Sequence, residues 1–93
     1  MQEMWVRRRQ PLLEAELGRE IVGLSVEQGT CFGFNETAAA VWKRLEQPAR
    51  KQDLVDSLLA RFDIDAATCA AELDELLDRL AALDLIDLEA RPA

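Results

Sequence analysis

Hydrophobic and polar residues change rhythm once along this chain, dividing it into a sheet-forming half and a helical half. Leu13, Ala15 and Leu17 alternate with Glu14 and Glu16, the period of a strand with one buried face. Gly18-Arg19 can turn the chain, and Val22, Leu24 and Val26 then alternate with Gly23 and Ser25, predicting a second strand over residues 20–26. Glu27-Gln28-Gly29 supplies a tight turn with a glycine available for positive φ. Thr30 to Phe34 follows as a third strand, with Phe32 and Phe34 on one face and Cys31 and Gly33 on the other. The reading is a three-stranded antiparallel meander. Residues 1–11 precede it as an arm to which the pattern assigns no course.

Beyond Phe34 the period becomes helical. Asn35 is suited to cap a first helix, Glu36 sits where the helix dipole favours an anion, and Pro48 ends the segment. Ala38, Val41, Trp42 and Leu45 fall at helical spacing within it. A second helix is predicted from Lys51 to Phe62, with Leu54, Val55, Leu58, Leu59 and Phe62 on one side. Asp65 can cap a third, from Ala66 to Leu83, whose main stripe is Ala70, Leu73, Leu77 and Leu80. Leu85, Ile86 and Leu88 close the chain as a short strand or extended tail. Neither the strands nor the helices can bury their apolar faces alone, so they must share a core. The predicted fold is α+β and winged-helix-like, a three-stranded antiparallel sheet followed by three helices. It forms one domain over residues 1–93, with its core at 12–88.

Charge and composition narrow what such a domain can do. The chain has 93 residues, 49% of them hydrophobic and 31% charged, which suits one modest globular core. Its net charge of −7 lies wholly in the C-terminal half, where residues 46–93 carry five bases against twelve acids. Such a surface repels phosphate backbones, so nucleic acid is not an expected partner. No apolar run approaches the ~20 residues of a membrane span, and no hydrophobic stretch follows the charged N-terminus as in a signal peptide. A cytoplasmic location without membrane contact is expected. Cys31 and Cys69 are too few and too far apart for a disulfide framework or a zinc site, so no metal or cofactor is expected.

Catalytic chemistry is equally sparse. The chain lacks histidine and tyrosine, its serines are Ser25 and Ser57 alone, and its four glycines are scattered. No phosphate loop or activated nucleophile can be assembled from these. The acids of the third helix, Glu72, Asp74, Glu75 and Asp78, spread around its circumference as a solvated face. No enzymatic activity is expected.

Binding is another matter. A meander has two edges of unpaired backbone groups, and the third strand is a short, apolar one without lysine or proline. Phe32 and Phe34 read as inward-facing core residues, whereas Cys31 and Gly33 are free to meet a partner. Gly33 would let another backbone approach closely. Beside the main stripe of the third helix runs a flank of Cys69, Glu72, Leu76, Arg79 and Leu83. That flank is either one wall of a groove for an extended peptide or a border that widens the core stripe.

The run from Glu20 to Trp42 resembles the PqqD family. The matching features are a strand, a turn ending in Gly29, Phe-Gly-Phe-Asn-Glu-Thr at 32–37 and Ala-Ala-x-x-Trp at the first helix. Leu-Leu-Ala-Arg-Phe-Asp at 58–63 and the leucine-rich third helix also fit, so that the resemblance spans about residues 12–88. The family comprises small proteins of pyrroloquinoline quinone synthesis and related elements that bind precursor peptides of ribosomally made natural products. The resemblance implies that a leader peptide adds as a strand to Thr30, Cys31, Phe32, Gly33 and Phe34 and lies against Glu72, Leu76 and Arg79. It also implies delivery to a separate modifying enzyme or leader peptidase, and a lasso-type or otherwise uncharacterised peptide pathway is the preferred branch. Asp84 departs from the pattern, standing where such proteins often turn with glycine. Two other readings share the outline: a winged-helix DNA-binding regulator and a homodimeric interaction domain joined through the strand edge. Against the regulator, residues 65–83 carry five acids and one base.

Overall fold

The computed structural model describes residues 2–92. Its elements run β1 (Gln2–Arg8), β2 (Leu13–Leu17), β3 (Glu20–Ser25), β4 (Thr30–Phe34), α1 (Glu36–Arg44), β5 (Ala49–Arg50), α2 (Lys51–Arg61), α3 (Ala66–Ala82) and β6 (Ile86–Pro92). The meander β2-β3-β4 and the three helices are present as predicted, in an α+β, winged-helix-like arrangement.

Local chemistry sets the element ends. Gly18 takes φ 64° and Arg19 does not share the positive sign, so the β2–β3 turn has glycine at its first central position, as a type II′ hairpin requires. The Asn35 carboxamide accepts the Ala38 N–H at 2.9 Å and starts α1, and Asp65 accepts the Thr68 N–H at 2.8 Å and starts α3. That bond and the Thr68 hydroxyl hold the Asp65 carboxyl below its ordinary range. At the far end of α3, the Leu85 N–H reaches the Leu80 carbonyl and the Asp84 N–H the Ala81 carbonyl, a Schellman closure. Asp84 occupies its left-handed position at φ 61°, in glycine's usual place. Its carboxylate takes a bond from Arg9 at 3.1 Å and its carbonyl one from the Gln10 amide at 3.0 Å.

The arm proves to be structured. β1 pairs with β6 along its whole length, from Gln2 opposite Pro92 to Arg8 opposite Ile86, and its other edge meets β5. A second three-stranded sheet, β5-β1-β6, thus joins the first and last strands to the short mid-chain β5. The arm's first residue lies outside the described ones. The predicted C-terminal strand is therefore longer than its apolar core residues suggested.

Strand β2 corrects the predicted facing. All five of its residues are exposed, and Leu13 and Leu17 are each 63% accessible, so the leucines lie outside rather than in the core. The alternation is right but its sense is reversed. Glu14 and Glu16 take the inner side because partners await them there. Glu14 accepts from the Trp42 indole N–H at 3.1 Å and pairs with Arg8 at 3.6 Å, and Glu16 pairs with Lys43. Losing this bond would leave the indole N–H of a buried tryptophan unpaired, a cost of roughly 1–2 kcal/mol.

Trp42 itself is fully buried and is the centre of the core. Its ring stacks on Phe34 at 5.3 Å with 19° between planes, and the Arg8 guanidinium lies over it, 4.2 Å from its centroid. Val6 of β1, Ile21 of β3, Leu54 and Leu58 of α2, and Leu73, Leu77 and Leu80 of α3 pack in the same cluster. A buried polar chain ties the arm to the meander: the Ser25 hydroxyl donates to the Gln10 carboxamide oxygen at 2.6 Å.

Candidate strand-binding groove

The two-residue turn between β2 and β3 closes on a hydrogen-bonded Leu17–Glu20 pair, and in an antiparallel ladder bonded and non-bonded pairs alternate. Glu20, Val22 and Leu24 therefore direct their backbone groups to β2, and Ile21, Gly23 and Ser25 direct theirs to β4. The β4 partners of the latter are Phe34, Phe32 and Thr30. Cys31 and Gly33, opposite Leu24 and Val22, are left with N–H and C=O aimed away from the sheet. Beta-strand β4 is thus an open edge with two donors and two acceptors facing outward.

Beneath that edge lies a groove of about 370 Å³, walled on one side by Cys31, Phe32, Gly33 and Phe34 and on the other by Leu76, Arg79 and Leu80 of α3 and by Leu83, which caps it. Asn35, Ala38 and Leu85 complete it. The wall is mainly apolar, and Arg79 is the charged side chain in it. Leu83 is 47% exposed, an apolar surface left in water at the groove's lip. A Cβ on Gly33 would meet nothing within 4 Å, so the protein's own packing does not demand glycine there. The space is open on the side where a strand would arrive.

Seven of the expected site residues therefore meet in one place: Cys31, Phe32, Gly33, Phe34, Leu76, Arg79 and Leu83. Phe34 is buried and Phe32 packs against the core, so each meets the groove at its inner side. Thr30 starts the strand opposite Ser25, exposed, its hydroxyl donating to the Gln28 carbonyl at 3.3 Å, and lies outside the groove wall. Glu72 stands farther up α3, beside a separate cavity of about 280 Å³ formed with Thr37, Leu58, Phe62, Ile64 and Leu73. Cys69 lines that second cavity with Glu72 and not the groove, and it is buried at 2% exposure, its thiol 4.0 Å from the Val55 carbonyl. Burial pushes that thiol's pKa up, as expected of a packed cysteine. Leu76 is buried as well, so the flank both widens the core stripe and walls the groove.

Asn35, Ala38, Leu80 and Leu85 were missed as groove residues. Leu80 and Ala38 read as core stripe and Asn35 as a cap, which they also are. Only the turn of α3 back under β4 gives them a second role. Among the described residues, no three His, Cys, Asp or Glu side chains are grouped to hold a metal. No helix among them is long and apolar enough to cross a membrane.

An open sheet edge over a helix-walled apolar groove, on a winged-helix-like frame, defines a small protein built to hold an extended segment. The comparisons agree with that class. The family model described as coenzyme PQQ synthesis protein D (PqqD) matches residues 20–86, and the chain belongs to the PqqD family. The fold is similar to that of TbiB1, solved in complex with the TbiA(beta) leader peptide. The TM-score is 0.76 at 26% identity, over 87% of this chain and 94% of that one. No curated protein matches the chain.

Proposed function

We infer that the chain recognises the leader segment of a ribosomally made precursor peptide, adding it as a fourth strand beside β4 and presenting it to a separate modifying enzyme or leader peptidase. The observation that carries this reading is the pair of outward-facing backbones at Cys31 and Gly33, set directly above the α3 groove. The TbiB1 structure, holding a leader peptide on a similar fold, supports it. Backbone pairing fixes the register of the peptide, and the wall of Leu76, Arg79 and Leu83 selects its side chains. The protein turns nothing over; its product is a positioned peptide. Residues 1–93 work as one such domain in the cytoplasm. The DNA-binding reading gains no support, because α3 carries Glu72, Asp74, Glu75 and Asp78 against Arg79 alone.

The test is a titration with the leader segment of the precursor peptide encoded beside the gene, read by amide hydrogen exchange. Saturable one-to-one binding should slow exchange at Cys31 and Gly33, with β2 amides unchanged. Binding that protects β2 and leaves Cys31 and Gly33 untouched would reject β4 as the docking edge. No binding by the folded protein would reject the function.

A further inference from the structure

Cations in this protein are almost all engaged. Of its eleven Lys and Arg residues, eight form ion pairs, among them Arg8 with Glu14, Arg19 with Glu36, Arg50 with Glu3 and Asp53, and Lys51 with Asp74. The three without a carboxylate among the described residues are Arg44, Arg61 and Arg79. Arg44 and Arg61 share a shallow surface between α1 and α2, away from β4. Arg79 lines the groove.

Its freedom needs an explanation, because the protein's net charge is −7 and acids are abundant. Glu75 stands one turn earlier on α3, at the i, i+4 spacing and in the order that favour an intrahelical pair. The pair is not made. A base in the last turn of α3 also suits the helix dipole, but that role is met by any cation at any rotamer and does not require a place in the groove wall. An arginine kept unpaired beside the apolar Leu76, Leu80 and Leu83 is a preformed receptor for a carboxylate, which its planar guanidinium grips with two parallel bonds.

Nearer the middle of the same helix an acid takes over. Glu72 stands seven residues before Arg79, about 10 Å along the axis at the rise of an α-helix, or roughly three residues of an extended strand. A strand lying along α3 therefore passes from the guanidinium of Arg79 to the carboxylate of Glu72.

We propose that Arg79 selects leader peptides carrying an aspartate or glutamate beside the apolar residues that fill the groove, and that Glu72 disfavours a second acid farther along. This rests on the strand-addition reading above and names the class of peptide that the site accepts. It also fixes direction, since a peptide laid in reverse would bring its acid toward Glu72.

A random library of twelve-residue peptides, displayed and selected against the full chain, tests this. The selected peptides should share an acid at a constant offset from their apolar pair. Replacing that acid by its amide should weaken binding roughly three- to tenfold, the range for a partly desolvated charge pair, and less so at high salt. Arg79→Gln should erase the difference between acid and amide. Arg79→Glu should turn the preference to lysine or arginine at the same offset, an inversion that loss of helix stability cannot produce. Arg61→Glu, of equal charge change outside the groove, should leave the preference alone. Groove-bound peptides, recognised by their loss with Gly33→Pro, that show no acid preference would overturn the role of Arg79 and leave strand addition standing. Failure of the folded protein to select any peptide would overturn both.

Discussion

The two edges of the meander are treated in opposite ways. Along β2, Glu14 and Glu16 flank the backbone, and each is tied down on the inner side, Glu14 by Trp42 and Arg8, Glu16 by Lys43. Inward-pointing charge beside an edge is a standard obstacle to an incoming strand, which would have to bury or displace it. Along β4 no side chain is charged, Gly33 leaves open space, and a groove runs alongside. One edge is closed by chemistry and the other is kept available. The difference teaches that an exposed edge is a matter of which side chains guard it, since both strands are five residues long and both border the same β3.

Trp42 sets up both edges at once, through its N–H to Glu14 and its stack on Phe34. Trp42→Ala should therefore have the largest effect and abolish the contrast, costing about 3–5 kcal/mol of stability. Urea unfolding would measure it; a loss below 1 kcal/mol would mean that the tryptophan is not the keystone of the core.

Gly33→Pro should sharpen the contrast instead. Its N–H makes no ladder bond with β3, so the fold should survive, while a leader peptide loses a backbone donor and meets a ring. The expected loss of peptide affinity is at least about tenfold, roughly 1.4 kcal/mol. Unchanged affinity by calorimetry, with a normal melting curve, would mean that peptides do not add at β4.

The smallest change is expected from removing the guard. Glu14→Val with Glu16→Val should cost roughly 1–2 kcal/mol, mostly from the unpaired Trp42 indole, because the exposed Lys43 pair contributes little. It should also let β2 edges pair between molecules, seen as concentration-dependent sedimentation absent from the parent chain. A variant that stays monomeric at every concentration would show that the glutamates hold α1 without guarding the edge.

Much of this architecture was legible because it is written locally. Caps such as Asn35 and Asp65, the turn at Gly18 and the stripes of α2 and α3 depend on residues within one or two turns of each other. What escaped depends on distant pairing. β1 becomes a strand through partners more than forty residues away in β5 and more than seventy in β6, and its run of arginines hides any alternation. Period two also reveals that Leu13 and Glu14 face opposite ways without saying which is inside. Arg8, Trp42 and Lys43 decide that, and none is a sequence neighbour. The groove was half legible for the same reason. The β4 edge and the Leu76, Arg79 and Leu83 wall follow from spacing, whereas the burial of Cys69 is decided by how α3 rolls onto α2. The family resemblance, read over about residues 12–88, is matched over 20–86.

The pairing of β1 with β6 has a mechanical meaning. Gln2 and Pro92 sit side by side at one end of an antiparallel ladder, so a pull on the two ends loads its bonds one after another, as in opening a zipper. Shear, which would strain all of them together, never arises. Traction thus peels the terminal sheet first, and β4 belongs to the other sheet, whose ladder bonds are separate from those being opened.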